Sequence, residues 1–456
     1  MLPVSKKHKG SVPAGLAFLI LLLSIFSAGA QQPLSLNESV QYALQNNPMV
    51  QKATLETRQG DFQIKEYLAS GLPQVSANAN FTYNIKLPTQ LIPDFFSGNP
   101  DQLIPIQFGT ALSTSAGLEL SQMVYDHSFW IGMKGTQKLA DFNRLLEGKT
   151  REEVAYNVVK IYYQVQIMAK QRVILLANLD QVDGLLRTTE LQYENGFVKK
   201  LDVDQLRVNR SSLHTQLQNL DLQVEQSLRA LKFAMAMPLD TPITLTDTLL
   251  NENAVPNPPA ELTPQFANKI DVAILDQQNE LLKLQYAQTK AQYIPSARLF
   301  ANYSFQGQGN SFGDLGKSEQ WFDYALVGLN VQIPIFDGLR RNYRLQQDNL
   351  EILQNEKDRA QTLNNLEFQN TNAIQQLTSS WNTLNSIREN RALAEEVYDV
   401  TQKRYREGLA SITEVLAAET TMRQVQGNYL GALLQYKWAE LDFEYANGRL
   451  MQLVNQ

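Results

Sequence analysis

Four stretches of the chain alternate between apolar and polar positions. In the first, Val75, Ala77, Ala79, Phe81, Tyr83, Ile85 and Leu87 alternate with Ser76, Asn78, Asn80, Thr82, Asn84 and Lys86. After a Pro-rich loop, Leu112, Thr114, Ala116, Leu118 and Leu120 alternate with Ser113, Ser115, Gly117, Glu119 and Ser121. Ala297, Leu299, Ala301, Tyr303 and Phe305 make a third run, and Ala325, Val327, Leu329, Val331 and Ile333 its partner. A period of two sends successive side chains to opposite faces, so each pair predicts a hairpin with one apolar and one polar face. All four runs reach the roughly 9 to 11 residues that a tilted membrane strand requires. A soluble β-sandwich would alternate too, but strand length and a second face of Asn, Ser, Thr and Gln favour a membrane barrel. Trp321, Phe322, Tyr324 and Phe305 fit either an interfacial aromatic girdle or loop packing between protomers. Bacterial barrels start at about eight strands and lipid tolerates no open edge, so a chain with four strands must oligomerise.

The remainder is helical in period. Val154, Val158, Ile161, Val165, Met168, Leu175, Leu179, Val182 and Leu186 form a stripe of alternating four- and three-residue steps that only Arg172 interrupts. Such a heptad stripe packs helices with a left-handed supercoil. No proline falls between Asp126 and Met237. At about 1.5 Å per residue, a helix from Ser128 to Glu194 would run on the order of 100 Å, the length of a coiled coil or helical tube. A second proline-free helix of the same length is expected from Leu339 to Arg406.

Composition narrows the setting. Lys6, Lys7 and Lys9 precede an apolar run, Ala14 to Phe26, that ends in Ser-Ala-Gly-Ala, the plan of a signal peptide over residues 1–30. The run is too short for an uncleaved spanning anchor. Without those three lysines, 37 of the 40 basic residues face 46 acidic ones, a net of −9 that argues against nucleic acid as a partner. The chain has no cysteine, which excludes disulfides and thiolate metal sites. His8, His127 and His214 lack metal-ligand spacing, and no phosphate loop or nucleophile motif occurs. Neither an enzyme nor a resident metal or cofactor is expected.

Self-similarity unites these features. Val50, Pro73, Asn80 and Phe81 recur as Val272, Pro295, Asn302 and Tyr303; Gly117, Leu118, Tyr125 and Asp126 recur as Gly328, Leu329, Phe336 and Asp337. Tyr193, Gly196, Asp202 and Val203 recur as Tyr405, Gly408, Glu414 and Val415. The expected plan is a first repeat over 31–237, a Pro-punctuated connector over 238–264 and a second repeat over 265–456. Each repeat holds a helix, a hairpin, a very long helix, a tip turn and a return helix. One strand exit reads Phe336-Asp337-Gly338 and the other Tyr125-Asp126-His127, so a left-handed turn is not expected at the first.

With LSLNESVQYALQNNPMV near the start, VQIPIFDGLRRNY at the strand exit, and the tip turns YENGFVKKLDV and YREGLASITEV, the chain resembles the TolC-like outer-membrane efflux protein family. The resemblance covers essentially all of the mature length. It implies a mainly α fold with a membrane β-barrel portion: a homotrimer with four strands per protomer, a twelve-stranded barrel among outer-membrane lipids, and an α-helical barrel extending into the periplasm. It implies passive export of small molecules and drugs with a periplasmic adaptor and an inner-membrane pump. The alternatives are the outer-membrane component of a type I protein secretion system and, from another class, a periplasmic coiled-coil scaffold, which would leave the hairpins unexplained.

The resemblance also assigns sites. Gly196, Phe197 and Val198, with Gly408, Leu409 and Ala410, would dock the adaptor, although both glycines could equally be plain helix caps. Glu414 would form a carboxylate ring at the entrance, the bland alternative being a solvated helix-face glutamate. A second family carboxylate is Ala417 here, so the ring would be single. Asp202 and Tyr405 would latch the entrance through a carboxylate-to-phenol hydrogen bond. A family latch position that is usually basic holds Ala410, leaving fewer restraints.

Overall fold

The computed structural model describes residues 32–94, 99–247, 266 and 269–454. The expected signal peptide and most of the expected connector lie outside the described residues. In chain order the elements are β1 (Gln32–Leu34), α1 (Leu36–Asn46), α2 (Pro48–Ala69), β2 (Gln74–Tyr83), β3 (Thr89–Asp94), β4 (Asn99–Gln107), β5 (Leu112–Tyr125) and α3 (His127–Glu194). There follow α4 (Lys200–Met235), β6 (Ile243–Leu245), α5 (Ile270–Ala291), β7 (Ser296–Gly309), β8 (Trp321–Gln332), α6 (Arg340–Arg406), α7 (Ile412–Ala446) and α8 (Leu450–Val454). Among the described residues no helix is long and apolar enough to cross a membrane. The chain divides into two compact units, one of Thr54–Leu146 and Asp271–Thr362, the other of Met1–Ala53, Glu147–Ile270 and Leu363–Gln456. Each unit draws on both halves of the chain, so compactness cuts across the expected repeat boundaries.

The first unit holds an antiparallel sheet in the order β2-β5-β7-β8. Its register carries the alternation across all four strands. Val75 pairs with Leu120, Leu120 with Ala301 and Ala301 with Val327; the next row is Ala77, Leu118, Tyr303 and Ala325. The opposite face carries rows such as Asn78, Gly117, Ser304 and Tyr324. A slip of one residue in any pair would invert both faces. Val75 on β2 is 69 % exposed, Val327 on β8 75 % and Leu118 on the central β5 54 %, and among the described residues β2 and β8 have no strand beyond them.

Two details depart from the alternation pattern. β2 stops at Tyr83, short of Ile85 and Leu87, because Asn84 turns inward: its backbone N–H donates to Ala111 O at 2.8 Å and its side chain to Thr110 O at 3.0 Å. The Pro-rich loop contains a hairpin of its own, β3 with β4, in which Ile92 faces Ile104 and Leu91 faces Pro105. Prolines mask this pair in the sequence, since they cannot donate to a ladder and survive only where that donor is not needed. The strand exits differ as the sequence implies. Gly338 and Leu339 both adopt left-handed φ, +70° and +66°. His127 instead starts α3 directly, and Asp126 Oδ1 accepts from the Ser128 N–H at 2.9 Å as an N-terminal cap.

In the second unit, the heptad positions of α3 are buried or half-buried throughout, from Val154 to Leu186. The face is wider than a seam: Ala155, Val159, Tyr162 and Gln166 are buried as well, because this stretch packs against more than one neighbour. Arg172, the interruption, is half-buried and its Nε lies 2.5 Å from Asp221 Oδ1 on α4. The first residues of the expected connector are tied down. β6 pairs in parallel with β1, and Asp247 accepts from the Leu36 N–H at 2.7 Å and the Tyr162 hydroxyl at 2.9 Å. Asp247 thereby sits at the positive end of α1 and satisfies a phenol inside the core.

Asp247→Ala should therefore lower unfolding stability by about 1.5 to 3 kcal/mol, the scale of a hydrogen bond to a charged group, the Tyr162 hydroxyl keeping Leu34 O as an acceptor at 3.2 Å. Urea titration of the detergent-solubilised protein measures it, with Asp247→Asn retaining part of the loss.

Candidate functional site: the two helix-reversal tips

Both reversals use one piece of backbone chemistry. At the end of α3, Gly196 lies at φ +77°, its N–H donates to Tyr193 O at 2.9 Å, and the Phe197 N–H donates to Gln192 O at 2.8 Å. At the end of α6, Gly408 lies at φ +75°, with Gly408 N–H to Tyr405 O at 2.9 Å and Leu409 N–H to Arg404 O at 2.8 Å. These paired bonds are the Schellman closure, which needs a left-handed residue that glycine adopts without strain. The apolar residue after the glycine normally folds back onto the last helical turn. Here the facing positions are Gln192 and Arg404, so Phe197 and Leu409 remain 81 % and 64 % exposed.

The return helices start with matched caps. Ser411 Oγ accepts from the Glu414 N–H at 3.3 Å while Glu414 Oε2 accepts from the Ser411 N–H at 2.8 Å, a complete capping box. At the first tip Asp202 Oδ2 accepts from the Lys199 N–H at 3.1 Å, but Lys199 has no acceptor to return the bond. Glu414 and Asp202 thus share a position and a backbone task. Ser411 followed three residues on by Glu414 is the sequence signature of this capping box.

The tyrosine differs from expectation. Tyr405, 8 % exposed, shares a hydrogen bond with Thr189 Oγ1 at 3.3 Å, and Asp202 is engaged with its own helix start. Burial raises the phenol's pKa, the Thr189 bond lowers it and the charge of Asp202 raises it, so the carboxylate acts here through its field. Around Tyr405, Leu185, Val203, Leu206, Tyr398, Ile412 and Val415 form a closed apolar cluster that joins all four helices of the two tips.

Sequence reasoning missed the buried ion pair just behind this cluster. Glu419, 2 % exposed, approaches Arg423 Nε at 2.6 Å and accepts from Asn209 Nδ2 of α4 at 3.5 Å. Arg423 Nη1 donates to Gln216 of α4 at 3.1 Å. Burial pushes the Glu419 carboxyl above the ordinary range, outweighing Arg423 and Asn209. Burial and the charges of Glu419 and Asp399 push the buried Tyr398 phenol up to about 12. The signal available was a Glu and an Arg four apart, which reads as an exposed helix pair unless burial is known.

The sequence matches the Outer membrane efflux protein family over residues 39–236 and 267–449. The chain belongs to that family. It is 22 % identical over 450 residues to the outer membrane protein TolC of Salmonella enteritidis, a match covering 94 % of this chain and 85 % of TolC. Its fold is similar to the outer membrane protein VceC of Vibrio cholerae (TM-score 0.66, 16 % identity, 91 % of this chain and 96 % of VceC). It is also similar to the CmeC outer membrane channel of Campylobacter jejuni (TM-score 0.69, 16 % identity, 91 % and 86 % covered). As an outer membrane efflux protein the chain is a transport duct of the outer membrane that extends into the periplasm.

In this efflux protein the tip core carries a proton linkage of definite sign. A carboxyl whose folded pKa is raised contributes stability that is present below the ordinary glutamate range and lost as pH rises through the elevated value. Glu419→Gln stays neutral, so its thermal midpoint should change less between mildly acid and neutral pH than the wild type's. Circular dichroism at the two pH values reads the difference, and equal slopes would remove Glu419 from the linkage.

Proposed function

We propose that three copies of the chain form the exit duct of a tripartite efflux assembly, each giving four strands to a twelve-stranded barrel that continues as a helical tunnel. Two internal repeats supply the paired hairpins and the paired long helices. The supporting observation is the sheet: two bare edges, and one apolar face kept in register over four strands. Lipid can cover the face, but only further strands can satisfy the edges. The tips dock a periplasmic adaptor through Gly196, Phe197 and Val198 and through Gly408, Leu409 and Ala410, and the adaptor couples the duct to an inner-membrane pump that supplies drugs and other small molecules. The two exposed apolar side chains held out by rigid turns support this reading. Glu414 repeats threefold at the entrance and favours cations there. Tyr405, with Thr189 as partner and Asp202 beside it, steadies the closed entrance.

The absence of cysteine makes the edges testable. Asn80→Cys on β2, combined in turn with cysteine at Tyr324, Leu326 or Asn330 on β8, should give disulfide-linked trimers in outer-membrane fractions. Monomers throughout would sink the barrel reading.

Gly408→Trp should abolish drug resistance while leaving heat-sensitive trimers intact, because tryptophan at a left-handed position distorts the turn that presents Leu409. Undiminished resistance would remove the tips from adaptor docking.

A further inference from the structure

The face of the sheet opposite the apolar band is not uniformly polar. On β2 and β5 it carries small polar side chains, such as Asn78 and Ser115, but on β7 and β8 it carries Phe300, Phe322, Tyr324 and Leu326. The register fixes this: Phe322 pairs with Gln306, Tyr324 with Ser304 and Leu326 with Asn302, all on the polar face of β7. Phe300 pairs with Gly328, and its ring lies across that glycine so closely that a Cβ there would meet its Cζ at 2.5 Å. Trp321 belongs to the other side, where its ring covers Gly307. Of the two readings of these aromatics, a girdle or loop packing between protomers, a girdle could draw only on Trp321 and Phe305, which lie on the lipid-type face, whereas Phe322 and Tyr324 turn away from it.

Phe322, Tyr324 and Leu326 are 64 %, 47 % and 41 % exposed. Glu119 stands on the same face, also exposed, opposite Asn302 and thus in the row of Leu326, nearer to Tyr324 and Phe322 than is Arg298, the opposite charge on this face, which pairs with Asn330 two rows farther down. Ser121, two residues along β5, pairs with Phe300, so Glu119 and Phe300 are diagonal neighbours about 7 Å apart. In a closed ring the strand beyond β8 is β2 of the next copy. Its residues on this face are Ser76, Asn78, Asn80 and Thr82, too short to cover a row of aromatic rings. A carboxylate beside open aromatic faces complements one ligand chemistry, a cation on an apolar or aromatic body.

We propose that Phe300, Phe322, Tyr324 and Leu326 with Glu119 form a contact track for lipophilic cations on the inner wall of the barrel. The inference rests on the barrel reading, and it names a substrate class for the wall. Rings give the passing molecule apolar contact, and Glu119 selects positive charge. Contact is shallow and repeated in each copy, which suits a duct where a cargo must leave as readily as it enters.

Planar-bilayer recordings of the purified trimer test it, with tetraphenylphosphonium added from the extracellular side. Tetraphenylphosphonium should block the current, whereas tetramethylammonium, which lacks the rings, and tetraphenylborate, which reverses the charge, should not. In Glu119→Gln and in Tyr324→Ser the half-blocking concentration should rise about tenfold, the scale of one charge or ring contact. Both sites are exposed, so channels should still form. Normal channels with unchanged block in both variants would overturn the track, as would equal block by tetraphenylborate, which would make the strip a charge-blind apolar surface. If neither aromatic ion blocks, the strip is covered in the assembly and the track is likewise refuted. A preparation that yields no trimers and no channels would refute the barrel reading and the track together.

Discussion

Backbone hydrogen bonding at the sheet edges governs this molecule. Every N–H and C=O in lipid must find a partner, and β2 and β8 each present a row of them with no strand alongside. The face they border is apolar from Val75 to Val327 and would aggregate if left in water. Within one chain neither requirement is met, and this is what supports the proposal that further copies complete the edges. On the proposed barrel reading the helices are free of that requirement: α3 and α6 are polar and long, and among the described residues no helix has a spanning apolar run.

Helices of that length raise a different problem, because packing alone lets long rods slide. Polar pairs set between them fix the register. Arg172 with Asp221 joins α3 to α4, Asn209 with Glu419 joins α4 to α7, and Thr189 with Tyr405 joins α3 to α6. Where such pairs are buried their net energy is small or even unfavourable, yet each is satisfied at only one offset. Glu419 illustrates the cost, since burial raises its carboxyl despite the adjacent guanidinium.

Much of this was legible in the chain itself. Alternation located the four long strands to within a few residues, and the proline-free stretches located α3 and α6 almost to their ends. Tyr-x-x-Gly marked both tips, and the glycines do adopt the left-handed conformation. Three things were hidden for physical reasons. β3 and β4 are short and contain Pro93 and Pro105, which read as loop. The partner of Tyr405 is Thr189, over two hundred residues away and without any local pattern. Period-two reasoning also assumes that the faces stay pure, and β8 breaks that rule with Phe322, Tyr324 and Leu326 on the polar side.

Glu414 shows why a structural role and the proposed entrance role need not compete. As the third residue of α7 it spends one oxygen on the Ser411 N–H, a bond that also holds negative charge at the positive end of the helix. An ionised carboxylate has about four lone-pair sites, so that bond leaves acceptor capacity. The cap fixes the side chain's rotamer, and a fixed charge gains more from an approaching cation than a mobile one, because no conformational freedom is lost at the moment of contact. Asp202 is held in the same way on a shorter arm beside Lys199 and Lys200, whose charges oppose an approaching cation. Equivalent backbone geometry at the two tips therefore sits among different charges: Lys199 and Lys200 stand just before the Asp202 cap, whereas at the second tip the basic residues, Lys403, Arg404 and Arg406, lie on the last turn of α6 and none stands between Gly408 and Glu414.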